Sequence, residues 1–173
     1  TRPSCSAVTE LTGFDVRMVP AGTTGQMRAT ADGTAIGLPP DFGQNKPIAP
    51  LLSPRTSPGD VVLANFSDGS PSVVLRKNSD GISVFFGGTE VPPSLIRHVA
   101  RLSGVHLYCD KDANIFANGP LLAVHAATDG PLTIDLGRET TLREIGSNTA
   151  YPKCRRLELT LKKGQTVALW LRD

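Results

Sequence analysis

Short apolar runs and stretches of period-two alternation, divided by turn residues, recur along this chain, and runs of helical period are scarce. Asp60-Val61-Val62-Leu63-Ala64-Asn65-Phe66, Ser72-Val73-Val74-Leu75-Arg76 and Ile82-Ser83-Val84-Phe85-Phe86 read as three strands. Ser67-Asp68-Gly69-Ser70 and Asn78-Ser79-Asp80-Gly81 lie between them. Asp-Gly steps of this kind make tight turns, because glycine takes positive φ without steric cost. The pattern predicts a three-stranded antiparallel meander. Upstream, Phe14-Asp15-Val16-Arg17-Met18-Val19 also alternates and stops at Pro20, whereas the dozen residues before it read as irregular. The segment 21–58 is rich in Gly, Pro, Thr and Ser, with weak strand candidates at 26–30 and 34–38.

One good helix is predicted. Pro92 and Pro93 suit a first turn, Leu95, Ile96, Val99 and Leu102 form an apolar stripe, and Gly104 is a fit C-terminal cap. The helix is expected to cover one face of the meander. Beyond Gly104 the pattern returns to short strands, at 105–108, 115–117, 121–126, 132–136, 141–145, 156–161 and 166–171, with turn residues between them. That spacing predicts a small antiparallel sandwich or barrel. The fold class is therefore mainly β: an antiparallel meander with one covering helix, followed by a small antiparallel β-sandwich. The expected domains are 1–104, a mixed β-rich unit with one helix, and 105–173, a small all-β domain.

Composition narrows the function classes. Eighteen Lys and Arg stand against 16 Asp and Glu, so there is no electrostatic case for nucleic acid or an anionic membrane. The densest basic group, Lys153, Arg155 and Arg156, suits a strand edge. No apolar run is long enough to span a bilayer. Thr1 is expected to be a processed, artificial or fragment end, with a fragment or processing product preferred. The compartment stays open, with an extracellular or periplasmic setting slightly preferred. Cys5, Cys109 and Cys154 leave an odd thiol over and form no C-x-x-C, which excludes zinc ribbons and thioredoxin-type motifs. A Cys109–Cys154 disulfide is one pairing among those the sequence allows.

The stretch Gly104 to Gly130 holds the most chemical character. Asp110, Asp112 and Asn114 match the first three ligand positions of a calcium loop, and are the weak calcium candidates of this chain. The match breaks where Ile115 replaces the required glycine and Leu121 the bidentate glutamate, so a polar turn is the preferred reading. His106 and Cys109, three apart in an expected strand, would face opposite sides and not share a zinc ion. His125 sits within the apolar run Leu121 to Ala127, where a backbone-bonded sheet histidine is expected. No G-x-S-x-G and no phosphate-cradling glycine loop occurs. The five glutamates fall in turns or on polar strand faces, and no pair stands out as a catalytic constellation. No catalytic residue, cofactor site or cofactor is assigned. Tyr108, His125 and Trp170 are the candidates for an interface or sugar contact. Trp170 is expected to be partly buried under the helix or a neighbouring domain, because Trp is highly buried on average.

Three passages carry a family resemblance. Val62-Leu63-Ala64-Asn65-Phe66-Ser67-Asp68-Gly69-Ser70-Pro71-Ser72-Val73-Val74 is the first. Val91 to Arg97, followed by Ala100 to Tyr108, is the second, and Asn114 to Asn118 with Leu121 to Ala126 is the third. Together they resemble the C-terminal region of β-galactosidase-like multidomain glycoside hydrolases, over roughly residues 47–136. The resemblance implies that residues 1–104 end an α/β amidotransferase-like domain and that a small β-domain closes the chain. It implies a (β/α)8 catalytic barrel elsewhere, with no family catalytic residue on this chain. The implied role is an accessory or assembly portion that packs on a catalytic domain or neighbouring subunit, and homo-oligomers fit it. This portion would not be catalytic alone. A carbohydrate-binding or adhesion β-module and a structural assembly protein are the alternatives.

Overall fold

The computed structural model describes residues 4–172, and the chain divides into two compact units, one up to Gly104 and one from Val105. The first unit runs α1 (Cys5–Thr12), β1 (Val16–Met18), β2 (Thr24–Ala29), α2 (Ala31–Ala35), β3 (Asp41–Pro47), β4 (Leu52–Pro54), β5 (Val61–Phe66), β6 (Pro71–Lys77), β7 (Ile82–Phe86) and α3 (Pro93–Leu102). Its main sheet has the order β3-β2-β5-β6-β7, all antiparallel, and β1 pairs with β4. The expected meander is β5-β6-β7. Its first turn closes as the sequence dictates: Asp68 Oδ1 accepts from the Ser70 N–H at 3.0 Å, and Gly69 takes φ 83°.

Strand β6, the middle strand of the meander, is buried on both faces. Val73 and Leu75 join one core with Met27, Leu38, Leu63, Phe66 and Leu95. Val74 points the other way and packs with Phe14, Val16 and Phe85. Each such side chain contributes about 1.5–3 kcal/mol by leaving water. Helix α3 covers the first face through Leu95, with Val99 packed alongside. Ile96, expected on the same stripe, is 59% exposed, and Leu102 is also exposed. The second face is closed by Phe14 and by Cys5 and Val8 of α1. The N-terminal residues expected to be irregular are therefore a helix where described. It is stopped by Gly13 in the left-handed region, whose N–H bonds the Thr9 carbonyl at 2.9 Å. Likewise the strand expected at 34–38 is replaced by α2 and a turn. Thr30 caps α2, accepting from the Gly33 N–H at 3.1 Å.

The second unit is β8 (Ala113–Asn118), β9 (Leu121–Ala126), β10 (Gly130–Glu144), β11 (Ala150–Leu161) and β12 (Thr166–Arg172), in the order β11-β10-β12-β9-β8. The expected sandwich takes the form of one curled sheet whose inner residues make a single core. Two expected strands, 132–136 and 141–145, are the halves of the long β10. Its register with β11 shifts between Asp135 and Thr140, where Gly137 has φ 76° and donates to Asp135 Oδ1 at 2.8 Å. Residues 105–108 are not a strand. They run irregularly beside β10, with the Asp135 N–H donating to the Tyr108 carbonyl at 2.8 Å. Among the described residues no helix is long and apolar enough to cross a membrane, and Cys5, Cys109 and Cys154 are free thiols.

Candidate functional site

The second unit presents a built outer face. Along β9 and β12, Leu122, Val124, Ala126, Val167 and Leu169 point inward and are buried. Alternation sends their neighbours outward. The strand registers then align three rows: Trp170 with Leu121 and Asn118, Ala168 with Ala123 and Phe116, and Thr166 with His125 and Asn114. Arg143 extends the first row beside Trp170. Phe116 is 69% exposed and Trp170 44% exposed. Trp170 is thus partly exposed, and its register places it opposite Leu121 on the outer face of this unit. His125 is held by a 2.8 Å hydrogen bond between Nδ1 and Thr166 Oγ1, and Arg143 Nη1 donates to Asn148 Oδ1 at 2.9 Å.

Of the three candidate contact residues, His125 and Trp170 share this face. Tyr108 does not. It packs against the unit's core and stands edge-on to His106, with ring centroids 4.7 Å apart. The calcium candidates are also divided. Asp110 lines a cleft, Asp112 lies in the turn before β8, and Asn114 is on β8 opposite His125. Among the described residues no group of three His, Cys, Asp or Glu side chains is placed to hold a metal ion.

The cleft has a volume of ≈ 330 Å³ and is bordered by Tyr108, Asp110, Lys111, Thr133, Asp135 and Arg156. Asp135 is held below the usual carboxylate range, first by the Gly137 N–H and then by Arg155, Arg156 and His106. It stays ionised near neutral pH, so it serves as a corner piece of the sheet and not as a proton donor. The Tyr151 hydroxyl is pushed up by burial and by Glu144 beside it, which keeps it protonated. In the first unit, a second hollow of ≈ 490 Å³ lies at the exposed Arg28–Asp41 ion pair, whose charges neutralise each other.

Sequence reasoning overlooked Phe116 and Leu121 as members of the outer face. The signal was present in the period-two pattern of Asn114-Ile115-Phe116-Ala117-Asn118, but only the register shows which residues stand beside Trp170.

No family model matches the chain, and no curated protein does. Solved structures similar to it include two β-galactosidases. One is a β-galactosidase from Bacillus circulans sp. alkalophilus, at 15% identity and TM-score 0.53, covering 94% of this chain and 25% of that one. The other is a GH42 β-galactosidase from G. stearothermophilus, at 12% identity and TM-score 0.54, covering 92% of this chain and 24% of that one. The chain spans about a quarter of the length of these enzymes. Its fold is distantly related to that quarter of a β-galactosidase.

Proposed function

We propose that this chain is a non-catalytic accessory portion of a β-galactosidase-like glycoside hydrolase, which packs on a catalytic barrel or a neighbouring subunit. The carrying observation is that one alignment to a β-galactosidase takes in 94% of the chain, so both units take part in the likeness. The site chemistry supports the reading. The cleft of the second unit holds an ionised Asp135 near two arginines, and bond cleavage by paired carboxylates needs one that carries a proton. The purified chain, assayed on aryl β-galactosides, is expected to show no turnover above the uncatalysed rate. Intact mass of the native material is expected to reveal a larger species that includes a barrel. Robust hydrolysis by the chain alone would overturn the proposal.

One observation favours a second reading, a carbohydrate-binding module. Trp170, His125 and Arg143 stand on one exposed face, where an indole can stack on a sugar ring and the polar groups can bond its hydroxyls. Under that reading Trp170→Ala abolishes glycan-array binding while the unit still folds, at a stability cost of about 1–3 kcal/mol for the covered part of the ring. An array on which the wild-type chain binds nothing would remove this reading.

A further inference from the structure

The two edges of the second unit's sheet are unlike. Edge strand β11 carries Pro152, Lys153, Arg155 and Arg156, the residues that keep an edge from pairing with another chain. Edge strand β8 carries none of these. It reads Ala-Asn-Ile-Phe-Ala-Asn, without a charge or a proline, and four of its six residues are exposed. Its backbone groups on the outer side have no neighbouring strand, since β8 ends the sheet order.

The sequence of β8 also indicates what would pair with it. Its outward residues are Asn114, Phe116 and Asn118, a pattern that reads the same in both directions about Phe116. A two-fold axis through Phe116 would set a second β8 antiparallel to the first. Phe116 would then face its own copy, and Asn114 would face Asn118 of the second copy, twice. Aromatic cross-strand pairs stabilise antiparallel strands, and an Asn amide can both donate to and accept from the Asn opposite it. A symmetric edge fits a symmetric partner, in which each copy offers the same patch. The small neighbours Ala123 and Ala168 leave the Phe116 ring uncovered within its own chain.

We propose that β8 is a docking edge for a second copy of this chain, joining two five-stranded sheets into one of ten strands across Phe116. The inference does not depend on the accessory role proposed above. The contact is small, so the dimer belongs to the weak, concentration-dependent class.

Sedimentation velocity of the full chain tests it. The wild type is expected to move from monomer to dimer over the micromolar range. Phe116→Lys places two like charges across the axis and is expected to weaken the dimer about tenfold or more, with an unchanged melting temperature. Ala168→Lys, on the same face but two strands in from the edge, is expected to leave the dimer intact. A second readout does not rely on Phe116→Lys folding: under mild oxidation Phe116→Cys should crosslink to itself, and the wild type with its three native thiols should not. A chain that stays monomeric throughout, or a dimer indifferent to Phe116→Lys, would overturn the proposal. So would a dimer broken equally by Ala168→Lys, which would locate the contact on the face instead of the edge.

Discussion

Asp60→Ala is expected to destabilise the first unit by about 3 kcal/mol, the low end of the range for breaking a buried ion pair. Asp60 lies just before β5 with its side chain 2% exposed, and Arg76 on β6 is 20% exposed, which is why the low end applies. The pair is bidentate: Arg76 Nε and Nη2 donate to the two Asp60 oxygens, each at 2.8 Å. Asp60 Oδ2 also accepts from the Ser57 N–H at 2.8 Å. The same guanidinium donates to the Gly13 carbonyl at 2.9 Å and lies 4.3 Å from the centre of the Phe14 ring. One arginine therefore ties the end of α1 to the middle of the sheet. Removing the carboxylate leaves that arginine short of its counter-ion and loosens the lid over Val74 and Phe85. Arg76→Lys should recover only part of the loss, because an ammonium cannot make the forked contact or stack on Phe14 as well.

The pair also sets an acid limit. Hydrogen bonding from Arg76 is the main cause that holds the Asp60 carboxyl below its ordinary value, against the opposing effect of burial. A depressed folded-state value means the unfolded chain takes up the proton first as acid is added. The stabilisation is complete above the unfolded carboxyl value of about 3.9 and fades as pH falls through the lower folded value. The difference between wild type and Asp60→Ala should therefore be full at pH 7 and shrink below pH 4. Fluorescence is a poor probe of this unit, because the only Trp and both Tyr residues, Trp170, Tyr108 and Tyr151, lie in the second. Amide exchange of β5 and β6 reads it directly, and a difference that stays constant down to pH 2 would refute the linkage.

What was legible in the sequence follows a physical divide. The meander β5-β6-β7 was legible because its turns are encoded within four residues each, at Asp68-Gly69 and at Asn78 to Gly81. The strands of the second unit were legible from short apolar or alternating runs set between turn residues. The misread elements depend on distant partners. Helix α1 spans only eight residues and is held through Cys5, Val8 and Phe14 against a sheet some 60 residues further on. Residues 105–108 alternate like a strand, yet they run irregularly beside the corner of β10. Trp170 was assigned correctly to a strand face, but whether that face is covered is decided by what packs on it. Period two cannot convey that. For the candidate site the same limit held: Tyr108, His125 and Trp170 were chosen by residue type, and Tyr108 falls outside the strands, packed against the core.

Gly33→Ala should reverse the sign that helix propensity assigns to it. In a free helix the change stabilises by about 1 kcal/mol. Here α2 has only five residues, and its first turn lies against β5. The Thr30 hydroxyl donates to the Val62 carbonyl at 2.7 Å, and the Thr30 N–H donates to the Leu63 carbonyl at 3.0 Å. These bonds bring Gly33 so close to β5 that a Cβ there would overlap the Leu63 carbonyl oxygen, and would sit 3.0 Å from its carbon and 3.1 Å from Leu38 Cδ1. The obstacle is backbone in a paired strand, not a side chain that can rotate away. Either α2 lifts, breaking the Thr30 bonds and opening the core at Leu38 and Leu63, or β5 shifts against β2 and β6. Overpacking of this kind costs about 1–3 kcal/mol, and the lost cap adds about 1 more. Amide exchange at Leu63 and Ala64 should accelerate in Gly33→Ala while β8–β12 stay unaffected. If the variant is as stable as wild type or better, the close approach of α2 to β5 is wrong.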